Sequence, residues 1–121
     1  MIQDYAPRPA SETLRERTFL ERRIVEVERD MGRLAAGIGA PAPITQELDV
    51  LDRARELWGD MLRQVRVRPL DDAVTAQLDW LNRVEERQAR ADGEPKPDLN
   101  RVALDRRLLS DLLRSWRAEA G

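Results

Sequence analysis

The sequence predicts an all-α protein, a compact bundle of about four helices joined by short connections rich in proline and glycine. Three observations carry that reading. Apolar residues recur three and four positions apart through four long segments. Prolines and glycines gather in the stretches between them. No window shows the alternation, threonine enrichment or Asn-Gly turns of strands. Residues 1–10, with Pro7 and Pro9, read as a flexible N-terminal arm, and residues 11–121 as a single helical domain.

The first helix is expected from about Ser11 to Ala36, with Leu20, Ile24, Val27, Met31 and Leu34 along one stripe. Thr13-Leu-Arg-Glu16 fits a capping box, and Ser11 is an equally good cap. The break "AGIGAPAP" follows. A second helix then runs from about Thr45, its cap, to Arg66, carrying Leu48, Leu51, Ala54, Trp58, Met61, Leu62 and Val65. Pro69 opens the third helix, about Asp71 to Ala91, with Asp71 or Asp72 as cap and Val74, Leu78, Leu81 and Val84 inward. Its last two turns are polar and project into solvent.

After "DGEPKPD" comes the most apolar segment, from about Asp98 to Ala118. Val102, Leu104, Leu108, Leu109, Leu112, Leu113 and Trp116 cover more than half its circumference. A helix this widely apolar is covered from several sides or meets a partner. Packing within one bundle accounts for the first helix better than a two-stranded coiled coil, because its heptads are few.

Composition excludes several kinds of chemistry. The chain has 121 residues, no cysteine and no histidine. Disulfides, thiolate zinc sites, thiol nucleophiles and histidine-based triads are therefore absent. Adjacent carboxylates such as Asp71-Asp72 and Glu85-Glu86 point about 100° apart on a helix, so they read as capping and surface groups. Nothing indicates a catalytic residue, a metal site or a cofactor, and the chain does not read as an enzyme. Acids and bases nearly cancel, at a net charge of -2, which lacks the basic excess of non-specific nucleic-acid binders. The N-terminus carries no signal-peptide pattern and no apolar run spans a membrane, so a cytoplasmic protein is expected.

Two local features remain. Arg63, Arg66 and Arg68 end the second helix, where cations complement the helix dipole; an RNA contact is the competing reading, without interleaved aromatics to stack bases. Gly59 follows Trp58 inside a helix, where glycine costs roughly 1 kcal/mol relative to alanine. A close approach by a neighbouring helix would explain it. Trp58 fits the core, whereas Trp80 and Trp116 suit a core edge or a binding anchor equally.

The order of these segments resembles the FlaF family of flagellar biosynthesis regulators along nearly the whole chain. Tyr5 and Arg8-Pro9-Ala10-Ser11-Glu12 are similar to the family's opening. Leu51-Asp-Arg-Ala-Arg-Glu-Leu-Trp58 resembles its second element, with Arg55, Leu57 and Trp58 in matching places. Pro69 through Leu78 to Val84 resembles its third, and Val102 through Leu112 its fourth, with Asp105 and Arg106 in the asparagine and arginine places. Ala54, the early Trp80 and Asp111 depart from the family pattern.

The resemblance implies a cytoplasmic, chaperone-like module that binds flagellin and assists its synthesis and export, opposite an FlbT-like regulator. On that reading an apolar face shared by the second and fourth helices forms a groove for an amphipathic segment. Trp58, Leu108, Leu112 and Trp116 are its anchors, with Arg55 and Arg106 at the rim. Two other readings stand beside it. One is a self-assembling structural or adaptor protein of a phage or secretion apparatus. The other is an RNA-binding regulator acting through Arg63, Arg66 and Arg68.

Overall fold

Arginine and glutamate pairs three or four residues apart line α1, Ala10–Ala35, and no proline interrupts it. Arg17–Glu21, Arg23–Glu26 and Asp30–Arg33 pair along its surface. Each such pair stabilises an isolated helix by about 0.2–0.5 kcal/mol. Three further helices follow, α2 (Ala42–Gln64), α3 (Leu70–Arg90) and α4 (Leu99–Ala120). A computed structural model describes residues 8–37, 42–90 and 99–121, with side chains described for all of these except 42–45 and 88–90. Among the described residues the secondary structure is all α-helical, as the periodicity predicts. The glycine and proline clusters of the first and last connections lie largely outside them.

The helix starts differ from the capping expectations. α1 begins at Ala10, behind Pro9, which makes no side-chain cap bond. Ser11 and Thr13 therefore fall inside the helix, and the Thr13–Glu16 capping box does not form. Thr13 Oγ1 donates to the Pro9 carbonyl at 3.4 Å, while Glu16 is engaged elsewhere. α2 begins at Ala42, so Thr45 lies within it rather than before it. Pro43 occupies its first turn, where a missing N–H costs no helical bond. α3 begins at Leu70, so Asp71 and Asp72 sit in its first turn, where negative charge suits the dipole.

The chain divides into two compact units, Met1–Leu70 and Asp71–Gly121. In the first, α1 and α2 form an antiparallel hairpin: Arg8 meets Val65, and Glu28 lies 3.9 Å from Arg55. Its buried apolar side chains among the described residues are Phe19, Leu20, Ala54, Leu57, Trp58, Met61, Val65 and Leu70. In the second, α3 and α4 are also antiparallel, with Asp71 paired to Arg117 and Glu85 to Arg106. Its buried apolar side chains are Ala73, Val74, Leu81, Val102, Leu109, Leu112 and Leu113.

A buried ion pair fastens the first unit. Arg8 Nη1 donates to Glu16 Oε1 at 2.5 Å and to the Val65 carbonyl at 2.7 Å; the Leu70 amide donates to Glu16 Oε2 at 2.9 Å. The two side chains are 9% and 6% exposed. The backbone groups involved are helix-end orphans. Val65 directly follows α2, and Leu70 is the first residue of α3. A cation at a helix C-terminus and a carboxylate at an N-terminus each complement the dipole they face. The connection tightens through Val67 N to Gln64 O at 3.0 Å and Arg68 N to Gln64 O at 3.1 Å, before Pro69 ends it.

The account of Gly59 as a point of close approach is corrected. A Cβ built there meets nothing within 4 Å, so no neighbouring helix needs the space. Gly59→Ala is expected to raise stability by about 0.8–1 kcal/mol, through helix propensity alone; thermal unfolding of the two proteins measures it. Arg8→Ala and Glu16→Ala are each expected to cost about 3–5 kcal/mol, because each strands a buried charge. The double variant should lose less than the sum. A urea-unfolding cycle checks this, and strictly additive losses would contradict the coupling.

Candidate functional site

The six residues singled out for partner binding fall into three environments. Trp58 is 3% exposed and Leu112 fully buried, so neither presents a surface to another molecule. Leu108 and Trp116 are half-buried on α4. Arg55 and Arg106 pair within their own units. Arg55 bonds Asp52 at 2.6 Å and approaches Glu28, and Arg106 pairs with Glu85. Glu85 is thus a partner of Arg106 across α3 and α4 rather than a purely solvated carboxylate.

The broad apolar surface expected on α4 is narrower than its composition suggests. Val102, Asp105, Leu109, Leu112 and Leu113 are buried along one stripe, while Leu104 and Leu108 lie at its flank. Spacings of three and four collect that stripe on one side of the helix. The acidic Asp105 takes a place in it that the apolar pattern skipped.

A half-buried apolar seam runs instead along the far half of the α1–α2 hairpin. Beyond Leu20, no described side chain of α1 is buried. Ile24, Val27, Met31 and Leu34, spaced three, four and three apart, are all half-buried, as are Leu48 and Leu51 of α2. Two antiparallel helices cover only the facing part of each apolar stripe, and a third layer is needed to close the seam. Its rim carries both signs of charge. Arg23 pairs with Glu26, Arg53 with Glu56 at 2.8 Å, and Arg55 with Asp52, so the seam is framed by groups that are already matched.

The deep end of the hairpin anchors this half. Phe19, Leu20, Leu57, Trp58 and Met61 are buried there, alongside the Arg8–Glu16 pair. Trp58 Nε1 is itself buried and finds no hydrogen-bond partner among the described residues. An unpaired buried donor costs about 1–3 kcal/mol, which the packing of the ring must offset. The sequence stripe of α1 was visible from its spacing, but spacing alone reads as core. The extent to which α2 leaves it open is a matter of how many layers the unit has.

Among the described residues the exposed large apolar side chains are Leu14, Val25, Val67, Trp80 and Leu99. Trp80, at 53% exposure, lies on the surface rather than in the core. Among the described residues no group of three or more acidic side chains comes together to hold a metal ion, and no helix is long and apolar enough to cross a membrane.

In the second unit, Arg117 grips Asp71 with both arms of its guanidinium, Nε to Oδ2 at 2.7 Å and Nη2 to Oδ1 at 2.9 Å. The hydrogen bond from Arg117, then its charge, with a bond to Thr75, holds the Asp71 carboxyl below its ordinary value. A carboxyl lowered in the folded state contributes stability above its unfolded value, and that contribution disappears as pH falls through the lowered folded value. Asp71→Asn is therefore expected to be slightly less stable than the parent near neutral pH. The difference should shrink as pH falls from about 5 into the acid range, and it should be smaller at high salt because the pair is exposed. Denaturation midpoints measured across that range check it.

Compared with known protein families, curated proteins and solved structures, the chain finds no match.

Proposed function

We propose that this chain is a non-enzymatic, protein-binding helical module whose α1–α2 hairpin receives an amphipathic helix of its partner. The half-covered stripe of Ile24, Val27, Met31 and Leu34 carries this reading. A partner helix laid along it supplies the missing third layer, with apolar anchors at helical spacing meeting a groove of the same character. The partner that the resemblance to FlaF suggests is flagellin, whose terminal segments are amphipathic. The role is then to assist flagellin synthesis and export in the cytoplasm, functionally linked to an FlbT-like regulator. Arg55 keeps its place at the rim in this reading. The floor passes from the second and fourth helices to the first and second, because Trp58 and Leu112 are interior.

The same seam would suit a second copy of the chain, since its rim carries both charges in balance. That is the self-assembling alternative. Light scattering on the purified protein distinguishes the two: a monomer that binds flagellin supports the module, and a fixed oligomer supports assembly.

Val27→Asp with Met31→Gln is expected to weaken binding of purified flagellin by about tenfold or more, by placing polar groups where the partner helix packs. Helicity by circular dichroism should be retained, because both positions are already half-exposed. Titration calorimetry against flagellin provides the readout. Undiminished affinity in a folded variant would reject the seam as the binding surface.

A further inference from the structure

At the other end of the first unit lies a feature that the seam does not use. The start of α1 and the end of α2 frame an open groove of about 520 Å³, lined by Thr13, Arg17, Leu62, Arg63 and Arg66. That size falls within the range of roughly 300–1,000 Å³ typical of binding clefts. Thr13 and Arg17 are one turn apart on α1, and Leu62 and Arg63 in the last turn of α2 with Arg66 just past its end form the facing side.

The lining is strongly cationic. Among the described residues Arg17 reaches Glu21 alone, at 3.5 Å on its own helix, with both side chains more than half exposed. Among the described residues Arg63 pairs with Asp60 alone, also on its own helix, and is 73% exposed. Arg66, just beyond α2, makes no ion pair with any described residue. Exposed pairs of this kind are worth little and exchange readily. Leu62, half-buried, offers an apolar patch among the guanidiniums.

The geometry points to an acidic peptide segment of a partner protein as the occupant, with carboxylates on Arg17, Arg63 and Arg66 and an apolar side chain against Leu62. Carboxylate is the chemistry two of these arginines already bind, from Glu21 and Asp60, so an incoming acidic side chain replaces like with like. Guanidinium forks match carboxylates with two parallel hydrogen bonds. A nucleic acid is less well served. Among the described residues no aromatic lines the groove to stack a base. This site is separate from the seam and stands without the flagellin reading.

Fluorescence anisotropy on the full chain tests it, using a labelled peptide of alternating glutamate and leucine, its lysine–leucine counterpart and a single-stranded RNA oligonucleotide. The acidic peptide should bind, with affinity falling as salt rises, and the basic peptide should not. Arg63→Gln with Arg66→Gln should weaken acidic-peptide binding by about tenfold or more, with helicity unchanged. Absence of acidic-peptide binding at low salt overturns the proposal, as does equal affinity in the double variant. RNA binding tighter than that of the acidic peptide, and lost in the double variant, overturns it too and assigns the groove to nucleic acid.

Discussion

The Arg8–Glu16 pair governs how the first unit is put together. A single guanidinium closes the end of α2 at Val65, and a single carboxylate receives the amide that opens α3 at Leu70. Each charge is neutralised by the other while also filling a backbone vacancy. Burying such a pair is costly, and it is tolerable only when the remaining donors and acceptors are used. Here both oxygens of Glu16 are engaged. The bend around Pro69 therefore depends on a residue in α1 and on another just ahead of it, not on its own sequence alone.

This explains which parts of the fold were legible beforehand. Helix number, class and approximate extent follow from spacing and from proline and glycine, which act within a turn or two of themselves. Glu16 shows where such reasoning stops. Three residues after Thr13 it matches a local capping motif, but its actual partners lie eight residues before it and 54 after it. Asp71 departs from its expected capping place for the same reason, since the carboxylate at the first amide of α3 is delivered by Glu16 from another element. Ser11, by contrast, falls inside α1 because the helix starts directly behind Pro9.

The binding surface was less legible than the fold. Richness in leucine drew attention to α4, yet Leu109, Leu112 and Leu113 are enclosed. α1 carries as many large apolar groups as α4, yet Ile24, Val27, Met31 and Leu34 stay half-buried because only α2 faces them in their unit. Composition measures how much apolar surface a helix has. It does not say how many neighbours arrive to cover it, and that number separates interior from seam. Arg55 and Arg106 show the same limit for charge, since each has an acidic neighbour within its own unit that sequence spacing alone did not assign.

The three tryptophans also occupy different surroundings, and this gives the chain built-in optical labels. The indole at position 58 is sheltered and belongs to Met1–Leu70, while those at 80 and 116 belong to Asp71–Gly121, the former well exposed. Emission from the intact chain is accordingly a mixture of blue-shifted and red-shifted light. A soluble quencher dims the exposed indole at 80 most and the sheltered one at 58 least, so the surroundings of both can be followed without attaching a dye.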